Sequence, residues 1–415
     1  MITLSFPRLF VCIFIVVKQT KTCRVETVKR QLRKMKSQKE VRFMTYEELR
    51  KELEGLKEEM TVMERMMGYI RGEEVDHIPF RLVGSDTTAD LYGYTLKQYR
   101  DSMEIRFDIM EKMHEEFGNA AIGIGLGLQS VGEALGSKMQ YPENGLGFVT
   151  EHVLTDYAQL DDMEVIKPAG CPNLAEIMDT FRKSKERFPR WGAGNNVAGP
   201  MTTATSIRRL DLLLRDSVKQ KENLHRLLDF CVQCNLSWIR AVTEEFGVLP
   251  VNIAEPSASL SVLSRKQFLE FEKPHLKDLV DGIKEITGRM PTTHICGKTK
   301  GIWEDLIELG FTSLSVDNSE DLEEVKRCVG GRMSISGNVP PVEVLKYGTI
   351  DDVIASVIDC LKKGSDSPMG YSLAAGCQVP PGVPRENLYA FIYAARKYGR
   401  GAKKGRLPRG LSDVL

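Results

Sequence analysis

Neither sign of charge is in excess in this chain: 57 Lys and Arg stand against 57 Asp and Glu in 415 residues. No global field therefore draws it to nucleic acid or acidic lipid, and neither is expected as a partner. The N-terminus lacks the run of about 20 apolar residues that crosses a bilayer. LFVCIFIVV, residues 9–17 after Arg8, is too short, and the KQTKTCRVETVKRQLRKMK that follows has no small-residue cleavage site. Residues 1–43 are expected to be disordered or to precede the true start, with Met35 and Met44 as alternative first residues. Nine cysteines form no compact framework. In a chain this long, that scatter points to a reducing compartment, with metal or core roles rather than disulfides, and so to a cytoplasmic location. A glycine-rich phosphate loop is also missing, since GIGLGLQS shows no tight turn into a helix.

What the chain does have is the composition of a globular enzyme, 42% apolar and 27% charged. Helical spacing runs from Met44 to Gly72, and residues 96–117 form an amphipathic helix closed by Gly118. Residues 130–160 are less regular, with YPENGLG a turn and GFVTEHVL part of an inserted hairpin. Short apolar strands are predicted at 79–83, 120–124, 191–197, 249–254, 292–296, 312–316, 332–337 and 370–375, each followed by helix. Eight alternations predict one (β/α)8 TIM barrel over residues 44–400 with an N-terminal helical extension, a doubly wound open sheet being the alternative. The basic residues 401–415 are expected to be a solvated tail.

Barrels of this type place their chemistry at the C-terminal ends of the strands. Asn195 and Asn196 stand there on the third strand, Glu255 on the fourth, His294 and Cys296 on the fifth. Asp317, Asn338 and Cys377 follow on the sixth, seventh and eighth. Side chains alternate with period two, so His294 and Cys296 face the same side. An imidazole and two thiolates make a Zn²⁺ set with a fourth position open to substrate, although a core histidine beside a buried thiol gives the same local pattern. Glu255 suits a fourth ligand or an acid/base beside the metal. Asp317 would orient His294 or cap the next helix. Asn195 and Asn338 are candidates for cofactor or substrate contact, Asn338 alternatively for shaping the turn at GNVPP. The CxxC at Cys231 and Cys234 lies on a helix and reads as core. His77, His114, His152, His225 and His275 sit away from strand ends and read as structural or exposed.

The segments MERMMGYIRGEEVDHIPF, VAGPMTTATS, EPSASLSVLSRKQFLEFEKPHLKDLV, HICGKTKGIWEDLIELGFTSLSVD, SISGNVPPVEVLKYG and SLAAGCQVPPGVPRENLYAF occur in that order over about residues 60–397. Together they resemble the uroporphyrinogen decarboxylase superfamily, and within it the zinc-dependent methylcobamide:coenzyme M methyltransferase branch. That branch is marked by His-x-Cys and a later Cys, matched here by His294, Cys296 and Cys377. The decarboxylases carry an Arg-Gln-Ala-Gly-Arg-Tyr motif after the first strand, where this chain reads PFRLVGSDTTADLYGY with only Arg81. The branch more usually has Asp-Pro where Glu255-Pro256 stands.

The resemblance implies a (β/α)8 barrel, Zn²⁺, a methylcobamide or other corrinoid carried by a partner protein, and a small methyl acceptor or donor. A zinc-held thiol stays nucleophilic towards a corrinoid methyl group; in the reverse sense zinc activates a methyl donor. The competing readings are a uroporphyrinogen decarboxylase and a non-catalytic barrel that binds a corrinoid protein.

Overall fold

In the computed structural model, which describes residues 43–82, 86–118 and 120–414, twelve short strands alternate with helices. They are β1 Val75–His77, β2 Phe80–Arg81, β3 Ala121–Gly125, β4 Lys138–Gln140, β5 Phe148–Glu151 and β6 Gly192–Ala198. Then come β7 Val251–Ala254, β8 Thr292–Ile295, β9 Ser313–Val316, β10 Ser334–Val339, β11 Tyr371–Ala375 and β12 Arg400–Ala402. Eight of them form one parallel sheet in the order β2-β11-β10-β9-β8-β7-β6-β3. Renumbered one to eight, that order is 1-8-7-6-5-4-3-2, the neighbour sequence of a (β/α)8 barrel. Among the described residues only β2 and β3 share no ladder, which leaves a seam between the first and second barrel strands. β4 and β5 pair antiparallel as the inserted hairpin.

Along β7, β8 and β9 burial alternates. Val251, Ile253, Thr293, Ile295, Leu314 and Val316 are buried, while Asn252, Ala254, Thr292, His294, Ser313 and Ser315 are half-buried. The first set is mainly branched and apolar, suited to packing under the surrounding helices. The second set is small or polar and leaves room inside the barrel, where many barrels are filled by large branched side chains. Outside, helix Lys221–Phe246 fully buries Leu227, Leu228, Cys231, Cys234, Trp238 and Ile239. The larger of these apolar side chains contribute about 1.5–3 kcal/mol apiece. Cys231 and Cys234 are thus core residues.

The helical stretch predicted over 44–72 is two helices, Tyr46–Gly55 and Val62–Ile70. Thr61 starts the second: its hydroxyl accepts from the Glu64 backbone N–H while the Glu64 carboxylate accepts from Thr61 N at 2.8 Å. That reciprocal cap needs an extended backbone at Thr61 and so interrupts the helix. Except for Phe43, the extension predicted over residues 1–43 lies outside the described residues.

The basic stretch from 401 is not a solvated tail. β12 pairs antiparallel with β1, through Val75↔Ala402 and His77↔Arg400. Gly401, Ala402, Gly410 and Leu411 are buried, and Arg409 reaches Glu74 at 2.7 Å. Its cations occupy the rim of a packed ribbon, a pairing that charge content alone does not reveal. No helix among the described residues is long and apolar enough to cross a membrane.

Candidate metal centre

β8 ends at Ile295, and the chain turns immediately after Cys296 at Gly297, whose φ of +79° favours glycine. A Cβ there would also lie 2.8 Å from the hydroxyls of Ser259 and Ser261. At the end of β11, Gly376 passes so close to Asn318 that a Cβ would sit 2.6 Å from its backbone nitrogen. These two close approaches deliver Cys296 and Cys377 to the same part of the mouth, 3.5 Å apart at Sγ. His294 Nε2 lies 3.1 Å from Cys296 Sγ. The potential ligand atoms of His294, Cys296 and Cys377 all fall within 4.8 Å of one another.

On the far side of the imidazole, His294 Nδ1 meets Ser315 Oγ at 3.0 Å and Ser315 O at 3.3 Å. A carbonyl can only accept, so Nδ1 carries the proton and the Nε2 lone pair is turned towards the two sulfurs. Electrostatically the sulfurs behave as one unit. The hydrogen bond from Cys296 pulls the Cys377 thiol well below its usual range. The same hydrogen bond, burial and the charge of Asp317 push Cys296 up. A bound cation would favour ionisation of both sulfurs.

These donors fit Zn²⁺. A tetrahedral ion with Zn–S near 2.3 Å keeps two sulfurs about 3.8 Å apart, slightly wider than the 3.5 Å found here. All three side chains are half-buried and line a cavity of about 1160 Å³. Arg81, Asn196, Asn252 and Ala254 share its wall, which continues past Arg106 and Thr180. Among the described residues no carboxylate pairs with Arg81, which is exposed on this wall, and the protein atoms packed around it pull the guanidinium below its usual range.

The other four sequence candidates do not line this cavity. Glu255 is fully buried and turned towards helix Pro200–Ile207, where it accepts from Thr202 N at 2.9 Å and Thr202 Oγ1 at 2.6 Å. A Cβ on Gly199 would lie 1.8 Å from its Oε2, so glycine there makes room for the carboxyl. Burial raises Glu255 above the usual carboxylate range despite the Thr202 bonds. Asn195 faces the helical layer, accepting from Trp238 Nε1 at 3.1 Å, and period two puts its neighbour Asn196 on the cavity side instead. Asn338 Nδ2 donates to Asp317 O at 3.2 Å and Glu320 O at 3.0 Å, which ties down the loop after β9. Asp317 accepts from Ser319 N at 2.7 Å in a local turn. It touches the centre only through its charge; Ser315 holds the imidazole. Ser315, one strand over from His294 in register, carried no sequence signal that distinguishes it from other serines.

Fold and site together describe a (β/α)8 barrel with one imidazole and two thiols gathered at its mouth. The chain belongs to the uroporphyrinogen decarboxylase (URO-D) family, which it matches over residues 61–398. It is 26% identical over 349 residues to the methylcobamide:CoM methyltransferase MtaA of Methanosarcina barkeri (strain Fusaro / DSM 804), covering 82% of this chain and 99% of that protein. A solved methyltransferase from Methanosarcina mazei superposes with a TM-score of 0.70 at 24% identity, over 82% of this chain and 99% of that one. The chloroplastic uroporphyrinogen decarboxylase 2 of Oryza sativa subsp. japonica is 26% identical over 206 residues, which is 48% of this chain and 51% of that protein.

Proposed function

We infer that this chain is a zinc-dependent methyltransferase that moves a methyl group between a corrinoid protein and a small substrate held at His294, Cys296 and Cys377. The observation that carries the reading is the convergence of those three donors at the barrel mouth, with Cys296 and Cys377 at 3.5 Å. The near full-length match to a methylcobamide:CoM methyltransferase supports it, whereas the plant decarboxylase aligns over half its length.

Zinc held there supplies positive charge that keeps a substrate sulfur ionised near neutral pH. The chain's own part is placement. Ser315 fixes the His294 tautomer, and the half-buried mouth limits water around the reacting sulfur. Arg81 offers a guanidinium on the same cavity wall, suited to an anionic group at the far end of a small substrate. Arg100 and Arg106 are bound to backbone carbonyls of Pro142, Gly145 and Tyr99. A porphyrinogen with many carboxylates would need more free cations than that. A methylated corrinoid protein would reach the cavity from above the strand ends, where the metal donors lie.

The deciding experiment pairs metal content with turnover. Purified chain should lose one zinc per molecule on Cys377→Ala, and with it methyl transfer between methylcobalamin and a thiol. Full zinc retention in that variant, or porphyrinogen decarboxylation by the wild type, would overturn the reading.

A further inference from the structure

A separate set of donors lies on the outer helices. His275, on helix Lys273–Thr287, is 4% exposed. Its Nε2 lies 2.9 Å from Nδ1 of His225 on helix Lys221–Phe246. On the other side of the ring, Nδ1 lies 2.9 Å from Asp229 Oδ1, yet has no hydrogen bond of acceptable direction to it or to anything else. Asp278 stands one helical turn beyond His275, on the same face. The potential ligand atoms of Asp229, His275 and Asp278 all fall within 4.8 Å of one another.

Asp229 and Asp278 are exposed to solvent, while His275 between them is buried. Among the described residues no lysine or arginine pairs with Asp229 or Asp278; Arg226 goes to Asp161 and Lys277 to Asp281. His275 Nδ1 thus points at two carboxylates from a buried ring without a well-directed hydrogen bond to either, and in the tautomer that donates Nε2–H to His225 it presents a lone pair to them. The His225 ring packs on Phe271, with centroids 4.8 Å apart, which holds its plane against His275.

We propose that Asp229, His275 Nδ1 and Asp278 form a divalent-cation site of borderline softness, of the Zn²⁺, Co²⁺ or Ni²⁺ type. It would clamp helix Lys221–Phe246 to helix Lys273–Thr287, with water completing the coordination. One imidazole with two carboxylate oxygens is a donor set for such ions. His225 is a positioning residue: it takes the Nε2 proton and so selects the tautomer that ligates.

The test is equilibrium dialysis of the full chain against Zn²⁺ alone, with bound metal counted per molecule. The Cys377→Ala chain, impaired at the barrel mouth, should still bind one equivalent and melt at a higher temperature with zinc than without it. Adding Asp229→Asn and Asp278→Asn should abolish both effects. In the Cys377→Ala background His225→Phe should weaken binding about 10- to 100-fold, and His225→Gln, which keeps an acceptor, should restore most of it. Equal zinc binding with and without the two aspartates would overturn the proposal, as would a Cys377→Ala chain whose only occupant of the site is a proton and which binds no zinc there. The second outcome leaves the barrel-mouth reading intact, because that reading is decided by wild type against Cys377→Ala.

Discussion

His294 Nδ1 and Ser315 Oγ face each other at 3.0 Å across adjacent strands, and this contact turns the other ring nitrogen towards Cys296 and Cys377. Removing the hydroxyl leaves the Ser315 carbonyl, at 3.3 Å, as the weaker support. Ser315→Ala should therefore lower zinc affinity at the mouth about 10-fold or more, as loss of an outer partner does elsewhere. Competition with a chromogenic chelator reads this directly. An unchanged affinity would mean that Ser315 does not orient the ligand.

Arg81 makes a second, kinetic prediction. If it grips a distant anionic group, the contact is the same in ground and transition states. Arg81→Gln should then raise KM for an acidic thiol about 10- to 100-fold, the worth of a charged hydrogen bond, with kcat little changed. A neutral thiol of similar size should not discriminate between the two proteins. Loss of kcat with KM unmoved would instead place Arg81 in the chemical step.

The third prediction concerns acid. His77 lies in β1 against Phe80, and burial with the nearby Arg65 charge pushes its imidazole down to about 4. A depressed pKa means the unfolded chain takes up the proton first. The contribution is present above about 6.5 and is lost as pH falls from there towards 4, on the order of 3 kcal/mol. Urea unfolding between pH 7 and pH 5 should show about 2 kcal/mol of that loss, and His77→Gln should flatten it. Parallel curves would remove His77 as the cause.

Glu272 sets the opposite slope. It is fully buried, neither carboxyl oxygen has a well-formed hydrogen bond, and burial with the neighbouring Glu255 raises it well above the carboxylate range. A raised acid favours the fold below the unfolded pKa and costs stability as pH climbs towards the folded one. Glu272→Gln should stabilise the chain at pH 8 by about 1–3 kcal/mol, with a smaller gain at pH 5. Calorimetry at the two pH values decides this; a variant less stable at both would show that the carboxyl is held by a charge-dependent contact.

Much of the architecture was legible because strand residues with period two and helix residues with period 3.6 alternate cleanly after residue 168. All eight barrel strands fall where the apolar runs put them. His294 and Cys296 were legible for the same reason, since two residues apart on a strand means one face. Reading strand ends alone could not assign facing to Asn195 against Asn196, because a one-residue shift exchanges the cavity for the helical layer. The direction of the Glu255 side chain was not legible for a different reason. A carboxylate at a strand end looks catalytic, but the open helix terminus at Pro200–Ile207, with Gly199 beside it, captured the side chain. The pairing of β12 with β1 joins residues more than three hundred positions apart, which local patterning does not encode.

The seam between β2 and β3 also bears on how the chain is made. Among the described residues β2 has no ladder partner other than β11, and Ser372 reaches Pro79 across 293 residues of sequence. At about 5–20 residues per second on the ribosome, the first barrel strand waits roughly 15–60 s for the strand that receives it. During that interval its edge is open to other chains, and a transcript cut short before residue 371 would leave it so permanently. Residues 371–375 thus govern whether the first strand is ever sheltered.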